Sequence, residues 1–309
     1  MRIVSLLPSA TELLFAVGAG ADVVAVTHEC DHPAGATRLP AVTRNVLDDD
    51  GQPSAAIDRH ISSARHQGSS IYALDEAMLA ELRPDLIVTQ ELCDVCAVAY
   101  RDVARAVRRL PGEIEVLSLE PASLDDILAT VLSVGAATGH EGGAADLGAT
   151  FAARIAAVDA LPSPPGAPST VCVEWTDPIM AGGHWVPEMV RRAGGRDPLG
   201  REGEPSRYVE WDEVLAAQPE VMVLMPCGFR LERTVELAAE ITGRPGFDGL
   251  PCARSGRVAA VDGSSYFNRP GPRIVDGLEI LAAILRTEPG VALPLGAAWV
   301  VPPAAPRGR

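Results

Sequence analysis

The sequence predicts an α/β protein of two Rossmann-like lobes, each with a central, mostly parallel sheet, joined by one long backbone helix. Three observations point there. Strand-like and helix-like segments alternate over residues 2–119. A largely helical stretch follows and closes on the breaker Pro162-Ser163-Pro164-Pro165-Gly166, after which the alternation restarts. Strands alternating with helices build parallel sheets, and proline with glycine ends a regular segment. The 309 residues also suit two domains of about 150 each. The expected divisions are a first lobe over 1–138, a connecting helix and linker over 139–164, a second lobe over 165–288 and a Pro/Ala-rich tail over 289–309.

Arg2–Leu6 reads as the first strand. Ser9-Ala10-Thr11-Glu12 has the spacing of a capping box, and the apolar run Leu13, Leu14, Phe15, Val17 continues a helix that Gly18 and Gly20 stop. Val23–Thr27 is a buried strand. Asp48–Gly68 is polar and without period, so a surface loop is expected there. Asp75–Leu82 is a helix, Asp85–Thr89 a strand, Val95–Arg108 a helix and Glu115–Leu119 a strand. Ser123-Leu124-Asp125-Asp126 opens a helix to about Ala137, Thr138-Gly139 breaks it, and the long helix runs from Glu141 to Leu161. In the second half Thr170–Glu174, Val221–Met225 and Val258–Val261 read as strands. Trp185–Ala193, Trp211–Ala217 and Pro272–Leu285 read as helices, with Pro272 placed at a first helical position. Residues 289–309 are expected to fray.

An internal echo supports two similar lobes. Leu79-Ala80-Glu81-Leu82-Arg83-Pro84-Asp85-Leu86-Ile87-Val88 matches Val214-Leu215-Ala216-Ala217-Gln218-Pro219-Glu220-Val221-Met222-Val223 as helix end, proline, acid and buried strand.

Charge removes several function classes. The formal net charge is −15, and all 26 basic residues are arginine. Nucleic acids and anionic membrane surfaces are bound by basic faces, so neither is an expected partner. Met1–Pro8 lacks the apolar core of a signal peptide, and Val291–Val301 is too short to span a bilayer. A cytoplasmic location, no membrane insertion and mostly reduced cysteines are therefore expected.

In open parallel sheets a ligand sits beyond the carboxyl ends of the strands, and unusual residues fall there. His28-Glu29-Cys30 follows one strand, Cys93-Asp94-Val95-Cys96 another and Trp175-Thr176-Asp177 a third. Pro226-Cys227-Gly228-Phe229 and Tyr266-Phe267-Asn268-Arg269 follow the last two. Five loops are thus expected to converge on one cleft. Cys93 and Cys96 have the two-residue gap with which paired thiolates hold a metal. With His28, Cys30 and Cys227 they could complete a zinc or iron–sulfur site, or pack as small hydrophobes. Thiol–disulfide chemistry of the Cys-x-x-Cys pair stays open, whereas Cys172 and Cys252 read as core. Aromatics are only 4% of the chain, yet Trp175, Trp185, Phe229, Tyr266 and Phe267 all lie at these loops. They would suit a large flat ligand or pack the lobes. Arg269 could hold an anionic ligand edge. No nucleophile elbow, phosphate loop or dinucleotide fingerprint is present, so binding is expected ahead of catalysis.

Ser5-Leu6-Leu7-Pro8-Ser9-Ala10-Thr11-Glu12, Pro84-Asp85-Leu86-Ile87-Val88-Thr89, Ser123-Leu124-Asp125-Asp126-Ile127-Leu128 and Pro219-Glu220-Val221-Met222-Val223 resemble the helical-backbone metal receptors. These solute-binding proteins deliver cobalamin and iron-siderophores to ABC transporters. The resemblance covers roughly 1–287 and is closest to the cobalamin branch, in a cytoplasmic variant with added cysteines. It implies two lobes of the periplasmic-binding-protein class III type and a corrinoid or other metal-chelate ligand in the cleft. His28, Glu29, Trp175, Trp185, Phe229, Tyr266 and Arg269 are then the expected ligand residues, with His28 able to offer an axial nitrogen to cobalt. Cys30, Cys93, Cys96 and Cys227 are the expected metal ligands of the alternative, a zinc or iron–sulfur protein on the same scaffold. Exported relatives carry a leader or lipid anchor that is not read here, so an ABC transporter permease is not an expected partner.

Overall fold

A computed structural model describes residues 1–46, 51–66, 72–90, 100–109 and 113–301. The chain divides into two compact units. The first comprises Met1–Gln52, Ala56–Pro121 and Asp125–Phe151; the second comprises Pro53–Ala55, Ala122–Leu124 and Ala152–Arg309.

The first unit contains β1 (Ile3–Ser5), α1 (Pro8–Ala16), β2 (Val23–Ala25), β3 (Thr43–Asn45), α2 (Ser54–His66) and β4 (Tyr72–Leu74). It continues with α3 (Glu76–Leu82), β5 (Leu86–Thr89), α4 (Tyr100–Val107), β6 (Glu115–Ser118), α5 (Leu124–Thr138) and the start of α6 (Glu141–Asp159). Its sheet is parallel throughout, in the order β2-β1-β5-β6. β1 and β5 are buried along their whole length, as central parallel strands covered by helices on both faces must be. Val4, Leu6, Ile87, Leu79 and Val103 form the core on one of those faces.

The second unit contains β7 (Thr170–Thr176), β8 (Ile179–Ala181), α7 (Val186–Arg192), β9 (Arg207–Tyr208), α8 (Trp211–Ala217) and β10 (Val221–Leu224). It ends with α9 (Leu231–Thr242), α10 (Pro251–Ser255), β11 (Val258–Val261), α11 (Gly263–Tyr266), α12 (Ile274–Arg286) and β12 (Ala297–Trp299). The sheet order is β12-β11-β10-β7-β8-β9. β7, β10 and β11 are parallel and central, while β8, β9 and β12 join antiparallel at the margins.

The internal echo is a structural repeat. α3 and α8 each end on a left-handed, non-glycine residue, Arg83 at φ 45° and Gln218 at φ 44°. A proline and an acid follow. The Asp85 carboxylate accepts from the Arg2 backbone N–H at 2.7 Å, and the Glu220 carboxylate accepts from that of Ser169 at 2.9 Å. Arg2 immediately precedes β1, and Ser169 immediately precedes β7. Each acid thus ties the strand it opens to the amino end of its neighbour.

The helix α6 spans 19 residues, with its first part in one unit and Ala152 onward in the other. Arg154 secures it to α12, bonding Glu279 at 2.8 Å through Nε and Asp276 through Nη2. A short segment from the first half of the chain completes the second unit. Ser54 is fully buried there. Its hydroxyl lies 2.7 Å from that of Thr176, its N–H reaches Glu240 and its carbonyl accepts the Trp175 indole N–H at 3.3 Å.

Several expectations need correction. Pro8, not Ser9, opens α1; its fixed φ suits the first helical position, so Ser9 and Glu12 are buried inside the helix rather than capping it. The polar stretch 48–68 holds α2, whose buried residues among those described are Ser54 and Ile57, too few for a visible period. β7 runs two residues further than expected, which places Trp175 within the strand. α12 begins at Ile274, two residues after Pro272. Within the expected tail, β12 pairs antiparallel to β11. Of the expected helix 95–108, residues 95–99 lie outside the described residues.

Candidate functional site

At the carboxyl edge of the first unit's sheet, β2 leads into a turn that fixes His28, Glu29 and Cys30. The Thr27 hydroxyl accepts the Glu29 N–H, and the Cys30 N–H bonds the Thr27 carbonyl. The His28 ring is held by the antiparallel pair of β3 and β4. Its Nδ1 lies 2.8 Å from the Thr43 hydroxyl, and the ring packs 5.1 Å from that of Tyr72. Nε2 faces Glu29 at 3.4 Å, and the imidazole keeps 23% of its surface exposed. His28 and Glu29 are therefore neighbours in space as well as in sequence.

Cys30 is buried between two hydroxyls. Its sulfur lies 3.1 Å from Thr11 Oγ1 and 3.2 Å from Thr27 Oγ1, and Thr11 donates onward to Ser5. One donor and one acceptor satisfy a neutral thiol. Cys93 and Cys96 lie outside the described residues. Among the described residues no three His, Cys, Asp or Glu side chains gather as a metal site.

At the matching edge of the second unit's sheet, three loops meet. The Cys227 N–H bonds the Glu174 carbonyl at the end of β7, the Ser264 N–H bonds the Phe229 carbonyl and the Asn268 amide reaches Met225. The rings of Trp175 and Phe229 stack, with centroids 5.6 Å apart and planes 23° from parallel. Trp175 is 7% exposed and Phe229 half-buried. Trp185, 6% exposed, directs its indole N–H to the Phe267 carbonyl at 2.8 Å and locks α7 to the loop that carries Tyr266 and Arg269. Tyr266, Arg269 and Cys227 are half-buried on these loops. Phe267 is fully buried core.

Two cations at this edge escaped the sequence reading. Arg233 of α9 lies over the Phe229 ring at 5.8 Å, and Arg273 lies over that of Tyr266 at 5.8 Å. Cation–π placement of this kind orients both partners. Arg233 was missed because α9 itself was not expected. Arg273 stands four residues after Arg269, in a run where the sequence singles out Arg269 and Pro272 but carries no sign that Arg273 meets an aromatic ring.

The remaining cysteines divide by burial. Burial pushes the Cys252 thiol up to about 12 and that of Cys172 well above its ordinary value, the latter aided by Asp197 and Glu174. At pH 8, iodoacetamide is expected to leave both unmodified in the native protein, because a thiol of pKa about 12 is ionised to roughly one part in ten thousand. The half-buried Cys227 should be labelled. Peptide mapping by mass spectrometry checks this, and rapid labelling of Cys172 would contradict its burial.

A family model described as periplasmic binding protein matches residues 3–264. No curated protein sequence matches the chain. Among solved structures, the periplasmic vitamin B12 binding protein BtuF of Vibrio cholerae is 22% identical, with 92% of this chain and 96% of that one aligned and a TM-score of 0.66. A possible iron-binding, periplasmic solute-binding protein from Staphylococcus epidermidis is 21% identical over 93% and 98% of the two chains, with a TM-score of 0.70. The periplasmic heme-binding protein RhuT of Roseiflexus is 23% identical over 92% and 97%, with a TM-score of 0.67. At these identities the likeness is one of fold. No described helix is long and apolar enough to cross a membrane.

Proposed function

This chain belongs to the periplasmic binding protein family, and we propose that it binds, without catalysis, a large flat metal-chelate ligand of the corrinoid (cobalamin) type. The observation that carries this reading is the stacked Trp175–Phe229 pair where β7 and β10 end. Aromatic walls suit a broad, partly apolar ring system. Arg233 and Arg273 beside the rings supply donors for polar groups at the ligand's rim. The structural neighbours support the ligand class, since they include a vitamin B12 binding protein, a possible iron-binding protein and a heme-binding protein. The resemblance of the opening segment to the cobalamin branch favours a corrinoid within it.

Titration with hydroxocobalamin, followed by gel filtration and absorbance, tests the proposal, with hemin as the competing chelate. Stoichiometric retention of the corrinoid is expected. Phe229→Ala should weaken it by about tenfold, the loss of one good aromatic contact. Absence of both retention and spectral change would sink the corrinoid reading, and retention of hemin alone would reassign the ligand within the class.

A further inference from the structure

We infer that the second unit has another ligand site, at the end of its sheet opposite the aromatic loops, and that this site takes a small monoanionic carboxylate with an apolar body. A cavity of about 510 Å³ opens there, where β7, β10 and β11 begin. That volume falls in the range of small-ligand sites.

Prolines 162, 164, 165, 168 and 251 wall the cavity, and Arg257 and Arg286 line it. Neither guanidinium spends all of its nitrogens on the protein. Arg257 Nη2 donates to the carbonyls of Ile284 and Leu285, at 3.3 and 2.9 Å. Arg286 donates through Nε to Pro162 and through Nη1 to Ala193 and Ala282, at 3.1, 2.8 and 2.9 Å. These bonds fasten the last turn of α12, a structural task that uses up part of each fork. Arg257 Nη1 and Arg286 Nη2 bond no described residue, and neither arginine pairs with a carboxylate within 4 Å. Burial lowers the proton affinity of Arg286, as it does for a cation that gains no counter-ion. Two fixed, half-buried cations without anions are a standing attraction for one.

The walls define the rest of the ligand. Proline rings offer apolar surface and no N–H, so they suit a hydrocarbon body. Glu220 and Glu288, both exposed, stand at the rim and disfavour a dianion through like-charge repulsion. One carboxylate bridging Arg257 Nη1 and Arg286 Nη2, with the body against the prolines, gives both unbonded nitrogens a charged acceptor.

Isothermal titration of the full chain with benzoate, with benzamide as the neutral isostere and inorganic phosphate as the non-apolar anion, tests the inference. Saturable benzoate binding is expected, with benzamide and phosphate each at least about tenfold weaker, as for loss of a charge-assisted bidentate contact. Arg257→Gln and Arg286→Gln should each weaken benzoate by about tenfold or more. Because these arginines also hold α12, Ser255→Glu serves as the second variant: Ser255 is exposed at the cavity wall, and a carboxylate there should repel the probe without unfolding the protein. Absent saturation, equal binding of benzamide or phosphate, or unchanged benzoate binding to folded Ser255→Glu would each overturn the assignment. Hydroxocobalamin retention should be the same with and without benzoate, since the two sites lie at opposite ends of the sheet.

Discussion

Gly277→Ala is expected to cost about 2–3 kcal/mol of stability, the upper part of the range for forcing extra volume into a well-packed region. Gly277 lies in the buried first half of α12, pressed against the end of α11. A Cβ there would stand 2.0 Å from the Tyr266 carbonyl oxygen, 3.0 Å from its carbon and 3.3 Å from Met189 Cε. A methionine end can turn aside, but a backbone carbonyl cannot without moving its residue. The substitution should therefore shift Tyr266, and with it one wall of the proposed ligand site, as well as lower the urea midpoint. Gly249→Ala is the control. Nothing lies within 4 Å of its added carbon, and a change within about 0.5 kcal/mol is expected. Equal midpoints for the two variants would show that α12 and α11 are not packed as described.

Glu188→Ala should cost a similar or larger amount, about 3 kcal/mol. The Glu188 side chain is 8% exposed. It accepts the Leu124 N–H at 2.9 Å, one of the donors that the start of α5 leaves without a helical partner. It also accepts from Arg192 Nε at 2.8 Å, and Arg192 reaches on to Asp159 at the end of α6, at 2.7 Å. The side chain of Arg192 is only 20% exposed. Alanine would strand a buried N–H and a largely buried guanidinium together. Glu188→Gln keeps an acceptor for Leu124 and should lose about half as much. Asp159→Asn, at the more exposed end, should cost under about 1 kcal/mol. Urea unfolding of the three variants checks the order, and an equal loss for all three would mean that the chain of bonds does not act through Glu188.

The parts of the fold that the sequence made legible are those where one local rule dominates. β5 and β10 are short apolar runs behind a proline and an acid, and the acids proved to be the ties that hold β1 and β7. The long helix was visible because nothing between Glu141 and Asp159 breaks it. What stayed hidden depends on partners distant in sequence. α2 is a polar segment held by Ser54 and Ile57, and β12 looks like a loose tail until β11 is present to pair with it. At the candidate site the residue types were legible but their surroundings were not. Trp175 and Trp185, expected in or beside the cleft loops, are largely buried, each with its indole N–H bonded to a backbone carbonyl. Spacing likewise carries no information about Thr11, whose hydroxyl arrives from another element to meet Cys30.

Ser54 has a consequence for the order in which the molecule is made. Its three bonding groups wait for Trp175, Thr176 and Glu240, and the first of these is 121 residues further along the chain. A growing polypeptide exposes Ser54 early, with its second-unit partners still unsynthesised. Conversely, a fragment started at Ala152 would form β7 with the Trp175 indole, the Thr176 hydroxyl and the Glu240 carboxylate facing a gap, and with Glu188 lacking Leu124. Buried polar groups left in that state are costly. The later unit is thus completed by a stitch laid down near the beginning of translation.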